Sequence, residues 1–347
     1  MIDYFQALRS NLYAHAPVVF ERLRALPLGL HMPSNLDYLT LEDDPHGEVV
    51  SLEEGSPQGS VPEIKVRNRA RRPVFIPEGS TLLGAKQNRV VNLSVLLPPE
   101  TVTVIPVSCV ERGRWATRSH QFGLGAFADG TLRQMMCSGS TASLRSSRKV
   151  HVDQARVWDH VESVLCGARV ASPTRAYDDA YAQHRQSLNA YLQHMVLPAT
   201  TCGVAVEIDG ALAGVDLFDQ PTTFRKVWPR LIKGHALSAL WPRPRTEISH
   251  DAWSFVDRMV TSKRETYPAV GLGSTIRLTS EGGEGAALLW GDQLIHVSLF
   301  ARVPKPAVAG ASGFASEKTV TQTGEPAACR RKRGAWRKFC AWLRSRR

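Results

Sequence analysis

Short runs of alternating apolar and polar residues fill the first third of the chain. Examples are EIKVRN (63–68), VVNLSVLLPP (90–99) and TVTVIPVSCV (101–110), and turn residues separate them. Alternation with a period of two favours strands that have one buried face. Several such strands in succession are typical of an antiparallel sandwich or a small barrel. We therefore predict a β-rich region over residues 17–115.

Helical spacing of apolar residues is the main pattern elsewhere. Apolar positions that recur at intervals of three and four residues predict amphipathic helices. The predicted helices cover 2–14, 153–166, 177–195, 224–240 and 252–263. By contrast, the segment 123–148 is rich in Gly, Ser and Arg, and we expect it to be long and irregular.

Two pairs of apolar runs predict β-hairpins in the second half of the chain. CGVAVEI and LAGVDLF flank Asp209-Gly210, and AALLW and QLIHVSLF flank Gly291-Asp292. These dipeptides are typical of tight hairpin turns. The whole pattern predicts an α+β fold: an N-terminal antiparallel β-sandwich or barrel-like half, with a mixed helix-and-hairpin half (150–302) packed on it.

The composition changes after residue 302, and this change sets the predicted domain boundaries. Residues 303–328 are rich in Pro, Ala, Gly, Ser and Thr, which predicts a flexible linker. Residues 329–347 hold nine Lys and Arg and no acid, and Trp336, Phe339 and Leu343 share one face at helical spacing. A basic amphipathic tail of this kind suits an anionic membrane surface or a nucleic acid. The alternative is a solvated extension, and residues 1–302 are expected to form a single domain.

The charge of the chain is concentrated in that tail. The net charge of the 347 residues is +11, and subtracting the nine tail cations leaves +2, which argues against nucleic-acid binding by the folded domain. No apolar run is long enough to span a bilayer and the N-terminus lacks a signal pattern, so we expect a cytoplasmic protein. The six cysteines are widely spaced without a C-x-x-C pair, which argues against a disulfide framework or a zinc site. No metal or cofactor is predicted.

Four polar residues, Lys86, Gln87, Asn88 and Arg89, interrupt the β-rich region. If one strand runs from Lys86 to Leu97, alternation sorts its side chains onto two faces. The buried face would carry Val91, Leu93, Val95 and Leu97, and the other face Lys86, Asn88, Asn92 and Ser94. A cation, two amides and a hydroxyl suit a phosphorylated or polyhydroxylated ligand. The alternative is a solvent-facing polar face with no ligand.

A second polar group begins at Ser108 and Cys109. Cys109 is either a nucleophile favoured by nearby cations or a small core residue. Glu78 and Glu111 are candidate acids or bases, and Trp115 is a ring that would stack on a base or pack.

Asp216 lies inside an apolar strand, where a buried carboxylate needs a partner, and it is the third acidic candidate. Asp219 is expected to cap a helix, and His296 to be a satisfied core histidine.

These residues carry a family resemblance. EGSTLLGAKQNRVVNLSVLLPPETVTVIPVSCVERGRW (78–115) resembles the signature of a bacterial domain family named for its association with ADP-ribosylglycohydrolases and the rhodanese-phosphatase superfamily. The similarity continues in AGVDLFDQPTTFRKVW (213–228), VGLGSTIRL (270–278) and LIHVSLF (294–300), and it covers most of 17–302. It implies an enzyme or accessory factor in nucleotide-linked chemistry. Ser80 stands where relatives tend to carry an acid, which weakens a mechanism with two carboxylates.

The resulting hypothesis is an enzyme that acts on a nucleotide or ADP-ribose-type substrate. The alternative is a non-catalytic ligand-binding or scaffolding component of a multi-gene system, recruited to an anionic surface by the tail. The site is expected where 84–92 and 108–115 meet Asp216. The catalytic candidates are Glu78, Glu111, Asp216 and Cys109, and the ligand-binding candidates are Lys86, Gln87, Asn88, Arg89, Asn92, Ser108 and Trp115.

Overall fold

Three β-sheets and seven α-helices make up the part of the chain that the structure describes, residues 3–56, 59–241 and 251–302 of a computed structural model. The strands are β1 (Leu12–Ala14), β2 (Val18–Phe20), β3 (Leu23–Leu30), β4 (Leu39–Thr40), β5 (Val50–Glu54), β6 (Glu63–Asn68), β7 (Val74–Ile76), β8 (Ser80–Gly84), β9 (Arg89–Val91), β10 (Val95–Leu97), β11 (Thr101–Cys109), β12 (Phe122–Phe127), β13 (Thr201–Ile208), β14 (Ala211–Phe218), β15 (Lys263–Pro268), β16 (Ser274–Thr279), β17 (Gly283–Trp290) and β18 (Gln293–Ala301). The helices are α1 (Tyr4–Asn11), α2 (Gly130–Ser147), α3 (Gln154–Gly167), α4 (Asp178–Gln183), α5 (Arg185–His194), α6 (Pro221–Ala239) and α7 (Ala252–Val260). None of these helices is long and apolar enough to cross a membrane.

The largest sheet joins strands from both ends of the described chain. Its order is β1-β3-β13-β14-β18-β17-β16-β15, with β2 also paired to β3, and all its pairs are antiparallel. The β13–β14 hairpin turns at Asp209 and Gly210, whose φ angles are 53° and 81°. Two consecutive positive φ angles are the geometry that an Asp-Gly turn accommodates.

Apolar residues cover both faces of this sheet. On one face Val204 and Val206 pack in a cluster with Val227 and Ile232 of α6. On the other face Ala205 joins the cluster that contains residues of α1 and α7. Burial on both faces explains why β13 reads as a continuous apolar run instead of an alternating one.

The two smaller sheets enclose a third apolar cluster. Their orders are β12-β8-β9-β11-β6-β5 and β10-β7-β4. Ile64, Val66 and Ile105 of the larger one pack with Val74 and Ile76 of the smaller one. This arrangement is the strand-rich layered half that the alternation predicts, and the α+β fold class is confirmed.

Local chemistry places most of the helix starts. Asp3, Asp129, Asp153 and Asp251 precede α1, α2, α3 and α7, and each side chain accepts a hydrogen bond from a backbone N–H of the first turn. An aspartate at this position satisfies donors that the helix leaves unpaired. The helices predicted near 2–14, 153–166, 224–240 and 252–263 are all present.

Three predictions about secondary structure are wrong. The segment 123–148 contains β12 and α2 instead of an irregular loop, and 177–195 contains two helices that meet at His184. The single strand expected from Lys86 to Leu97 is divided into β9 and β10. The expected linker (303–328) and tail (329–347) lie outside the described residues.

Candidate functional site

A buried ion pair joins α2 to the large sheet. Arg133 Nη1 donates to Asp216 Oδ2 over 2.8 Å, and Nη2 donates to the other carboxylate oxygen. Both residues are 1% exposed. Burial pushes the pKa of Asp216 upward, but the charge and hydrogen bonds of Arg133 outweigh burial and hold the pKa well below its usual value. Asp216 is thus ionised and paired at neutral pH.

Four further residues extend this pair into a connected set. Ser298 Oγ donates to Glu78 Oε1 over 2.6 Å, and the Glu78 backbone N–H donates to Ser94 Oγ over 3.1 Å. His296 contacts Ser94 Oγ through Nδ1 at 2.8 Å and Asp216 Oδ1 through Nε2 at 3.3 Å. We call these residues the Asp216 network: Glu78, Ser94, Arg133, Asp216, His296 and Ser298.

The Asp216 network connects distant parts of the chain in the interior. It links the turn before β8 to β14, β18 and α2, and all its members are buried. Its carboxylates already have a cation and hydroxyl donors. Charges that are taken out of water need such partners. The geometry therefore indicates a structural role, in which the Asp216 network holds the sheets together.

Glu111 lies in a second, separate cluster. Its carboxylate accepts hydrogen bonds from Arg114 Nε (2.8 Å) and Nη2 (2.6 Å), Thr174 Oγ1 (2.8 Å) and the Asn88 backbone N–H (3.1 Å). Burial raises the pKa of Glu111, but these donors outweigh burial and hold the pKa below its usual value. We call Asn88, Glu111, Arg114 and Thr174 the Glu111 cluster. With four donors on one carboxylate, Glu111 is suited to bracing this corner of the fold.

Cys109 is a buried thiol next to Gln87. Its Sγ lies 3.1 Å from both Gln87 Oε1 and the Glu111 carbonyl oxygen. Burial raises the pKa of Cys109 although the positive charge of Arg89 opposes this shift. A buried thiol with a raised pKa is a poor nucleophile, because the thiolate is the reactive form.

Arg89 is fully buried, and its contacts are with the protein. Nη1 donates to Gln87 Oε1 over 3.1 Å, and Nη2 lies 3.7 Å from Glu54 Oε2. Asn92 and Ser108 are also buried and share a 2.8 Å hydrogen bond. The polar contacts of these side chains are therefore with one another inside the fold, although Arg89 Nε has no hydrogen-bond partner among the described residues.

Lys86 and Trp115 are the two predicted ligand-binding residues that reach the surface. Trp115 is 48% exposed, and Lys86 Nζ lies 5.6 Å from its ring centroid. Arg89 approaches the same ring, with Cζ 5.8 Å from the centroid. Cations at this distance are attracted to the π face of an indole.

The structure brings together only part of the predicted site. The segments 84–92 and 108–115 do meet, through Asn88 and Glu111. Among the described residues, no hydrogen bond or ion pair joins Asp216 to either segment, and its partners include Arg133, which the sequence did not single out. The predicted shared face of Lys86, Asn88, Asn92 and Ser94 is also wrong. β8 ends at Gly84 and β9 starts at Arg89, so strand alternation does not apply between them.

A cleft with a basic lining lies beside β8, away from the Glu111 cluster. It has a volume of about 360 Å³, and β8, β12, α4, α5 and α6 form its walls. Its cations are Arg185, Arg230 and Lys233, and its one acid among the described residues is Asp178. We call it the basic cleft.

Arg230 has a fixed position in the basic cleft. Its Nε donates to the Gly125 carbonyl over 2.6 Å, and Nη1 donates to Glu42 Oε1 over 2.6 Å. Nη2 has no hydrogen-bond partner among the described residues. Burial, together with the negative charge of Asp179, raises the pKa of Asp178. The spacing of Arg230 and Lys233 on α6 is a usable sequence signal, since residues three apart lie on the same helical face.

Asp219 lines a second cleft, of about 560 Å³, between α1 and the residues before β18. It was expected to cap α6, but the N-cap is Gln220. Instead Asp219 Oδ1 accepts a short hydrogen bond from Tyr38, whose hydroxyl also contacts Thr223 Oγ1 at 2.7 Å. Burial raises the pKa of Asp219 to about 6, against the opposing effect of the Tyr38 hydrogen bond.

Within the described part of the chain, no group of His, Cys, Asp and Glu side chains is arranged to hold a metal ion.

Residues 11–300 match the family model of ARPP-1, the ARG and Rhodanese-Phosphatase-superfamily-associated Protein domain. The chain belongs to this family. Comparisons with curated proteins and with solved structures give no match. The membership agrees with the resemblance carried by residues 78–115. Since the family is named for an association, its name does not identify a substrate.

In this family member the most recognisable motif segments build the interior. Gln87, Asn88 and Arg89 of GAKQNR are buried, as are Ser108, Cys109 and Glu111 of the PVSCVE segment. The basic cleft is lined mainly by residues outside these motifs.

Proposed function

We propose that this protein binds a phosphorylated small molecule of the nucleotide class in the basic cleft. The observation that carries the proposal is the convergence of Arg185, Arg230 and Lys233 on one concave surface with a single carboxyl, Asp178. Phosphate groups are recognised by such clusters of cations. The proposal extends the family's association with ADP-ribosylglycohydrolases to a ligand class.

The shape and the apolar lining support a ligand of this size. Leu83, Leu124, Leu188 and Tyr181 also line the cleft, so it combines apolar surface with cations. Small-molecule sites commonly have volumes from about 300 Å³ upward and combine apolar walls with a few fixed polar groups. A mononucleotide offers a ring for the first surface and a phosphate for the second.

Arg230 is the anchor of the proposed anion site. Glu42 and the Gly125 carbonyl hold its guanidinium in place. The guanidinium carbon, Cζ, lies 5.0 Å from the centroid of the Phe127 ring. A donor that is already positioned loses little conformational entropy when a ligand binds. Its Nη2 is buried without a hydrogen-bond partner among the described residues, and the guanidinium supplies a fixed positive charge to the site.

Calorimetry with AMP, ADP-ribose and inorganic phosphate tests the proposal. We expect Lys233→Gln to weaken AMP binding about 10-fold, because one charge-assisted contact is lost. Lys226→Gln is the matched control: it lies on the same helix, but it pairs with Asp43 and is not a cleft residue. Equal affinities for wild type and Lys233→Gln, or no binding of any of the three ligands, would refute the proposed ligand site.

Catalysis on the same ligand is the second candidate function. Its support is Asp178, the carboxyl that lines the basic cleft, whose pKa is raised above its usual value by burial and by the charge of Asp179. A carboxyl group positioned beside a bound ligand is a candidate acid or base. Product formation from ADP-ribose and NAD should then be lost in Asp178→Asn while AMP binding persists. Binding without turnover in the wild type would leave the non-catalytic function standing.

The residues predicted from the motifs remain a proposal of their own. Lys86 and Trp115 are the accessible pair, and they would add a stacking surface for a base. If they contribute, Lys86→Ala and Trp115→Ala each weaken ADP-ribose binding. If turnover is found and survives both Lys86→Ala and Glu111→Gln, the motif residues have no catalytic role.

A further inference from the structure

The 560 Å³ cleft beside α1 has a distinct chemistry. Its charged lining residues within the described part of the chain are Asp219 and Asp292, and both are acids. Its other walls are apolar or neutral and include Leu8, Leu30 and Leu294. It shares no lining residue with the basic cleft.

Asp219 is the residue that makes this cleft more than a surface depression. Asp219 is 4% exposed, and Oδ2 makes no hydrogen bond of normal geometry to a described residue, although the Ser34 and Gln220 side chains lie close enough to lower the pKa of the carboxyl. A buried carboxylate oxygen without a donor is unfavourable, because the desolvation of the charge is not compensated. A ligand that donates a charge-assisted hydrogen bond to Oδ2 would remove that penalty.

The surroundings of Asp219 restrict what the donor is. Tyr38 already occupies Oδ1, and at the rim Tyr4 donates to Asp292 Oδ1 over 3.2 Å. Burial raises the pKa of the nearby Cys202 thiol to about 11, and the negative charge of Asp219 adds to this rise. None of these neighbours carries a positive charge, so a cationic ligand at Asp219 would not compete with a cation among these neighbours.

We infer that this cleft is a binding site for a small organic cation, namely an amine with an apolar body. Its ammonium group pairs with Asp219, and its apolar part lies against Leu8, Leu30 and Leu294. Asp292 adds a second, weaker attraction at the rim because it is exposed. This site is independent of the proposed phosphate site.

The chemistry of the pair sets the dependence on pH. Asp219 has a pKa of about 6 in the folded protein, so it is protonated at pH 5 and ionised above pH 7. The amine keeps its charge over this interval. Binding should therefore strengthen as the pH rises from 5 to 7.5.

Calorimetry on the full-length protein with phenethylamine and 2-phenylethanol tests the site. The two probes have the same apolar body, and only the first carries a cation. We expect phenethylamine to bind at least about 10-fold more tightly than the alcohol, and Asp219→Asn to remove that advantage. Asp159→Asn, an exposed change on α3, is the charge-matched control and should leave binding unchanged.

A second variant protects the test against misfolding. Ala7 is exposed on α1 and lines the cleft, so Ala7→Trp should fill the space without disturbing the core, and it should abolish phenethylamine binding. The inference is overturned if phenethylamine does not bind below about 10 mM, or if the alcohol binds equally well. It is also overturned if Asp219→Asn, with an unchanged unfolding midpoint, retains wild-type affinity.

Discussion

At the scale of the residue, burial separates carboxylates that are paired from those that are available. Asp216 and Glu111 have lowered pKa values because arginines and hydrogen-bond donors surround them, whereas Asp219 and Asp178 have raised values because burial dominates. Carboxyl groups with raised pKa values are the better candidates for an acid or base in a functional site. The sequence suggested the first group as catalytic candidates, since a motif displays residue types but not their partners.

Asp216 should be important for stability. Asp216→Asn leaves the Arg133 charge buried without its counterion, so we expect a loss of about 3–5 kcal/mol in the free energy of unfolding. Urea denaturation measures this loss through the midpoint at constant slope. Asp37→Asn, which breaks an exposed pair with Arg72, should change stability by less than about 1 kcal/mol.

A double replacement distinguishes loss of the pair from loss of packing. Arg133→Met combined with Asp216→Leu removes both charges and keeps the volume filled, so it should recover much of the stability that Asp216→Asn loses. If Asp216→Asn alone is as stable as the wild type, the Asp216 network does not stabilise the fold.

At the scale of the element, helix α2 was not predicted because many of its buried residues are polar or small. Its buried positions recur at helical spacing, but many are polar or small: Gly130, Leu132, Arg133, Met136, Cys137, Ser140, Thr141 and Leu144. Arg133 and Thr141 find partners on other elements or on the helix backbone. A pattern search that scores apolar residues misses such a helix.

The caps of α2 and α3 should contribute unequally to stability. Asp153 accepts one first-turn hydrogen bond, so Asp153→Ala should cost about 1 kcal/mol. Asp129 caps α2 and also contacts the Tyr177 hydroxyl and His160 Nε2 through Oδ2. Asp129→Ala strands these buried groups and should cost about 2–4 kcal/mol. Thermal unfolding of the two variants compares them directly, and equal losses would mean that the Tyr177 and His160 contacts add nothing.

At the scale of the whole molecule, two kinds of carboxyl give stability opposite dependences on pH. The folded-state pKa of Asp219, about 6, is above the ordinary value of 3.8, so its contribution is fully present below pH 3.8 and is lost as the pH rises through 6. Asp216 and Glu111 have lowered values, so their contributions are present above 3.8 and 4.5 and are lost as the pH falls below these values.

The two dependences can be separated by substitution. Asp219→Asn does not titrate, so the difference in unfolding free energy between this variant and the wild type should change by up to about 3 kcal/mol between pH 7.5 and pH 4. Urea denaturation at pH 7.5, 5.5 and 4 measures it. The wild type should gain relative to the variant as the pH falls, and a constant difference would show that Asp219 is not perturbed by burial.

The basic tail gives a further prediction at this scale. The nine cations of 329–347 account for most of the net charge, so a chain that ends at Gly310 should lose binding to anionic lipid vesicles. Vesicle co-sedimentation at low and high salt measures it, with neutral vesicles as the control. If the shortened chain binds the vesicles as well as the full-length chain does, the tail has no role in membrane binding.

Local patterns in the sequence determined much of the fold. Strand alternation, helical periodicity and the Asp-Gly turn depend on neighbouring residues, and these features predicted the α+β class, both hairpins and four helices correctly. The core residues Val91, Leu93, Val95 and Leu97 are also buried as predicted, although the strand that carries them is interrupted. The family could be recognised because its motif residues occur in one short segment.

The tertiary structure alone decided which polar groups are satisfied and where concave surfaces form. Ser298 reaches Glu78 across 220 positions of sequence, and Arg133 reaches Asp216 across 83. Such partners are not neighbours in the chain, and a hydrogen bond or a burial penalty depends on distances that only the folded chain sets. The same reason explains why Asp219 and Arg230, which the sequence did not single out as ligand-binding residues, line the two clefts, while the central motif is largely buried.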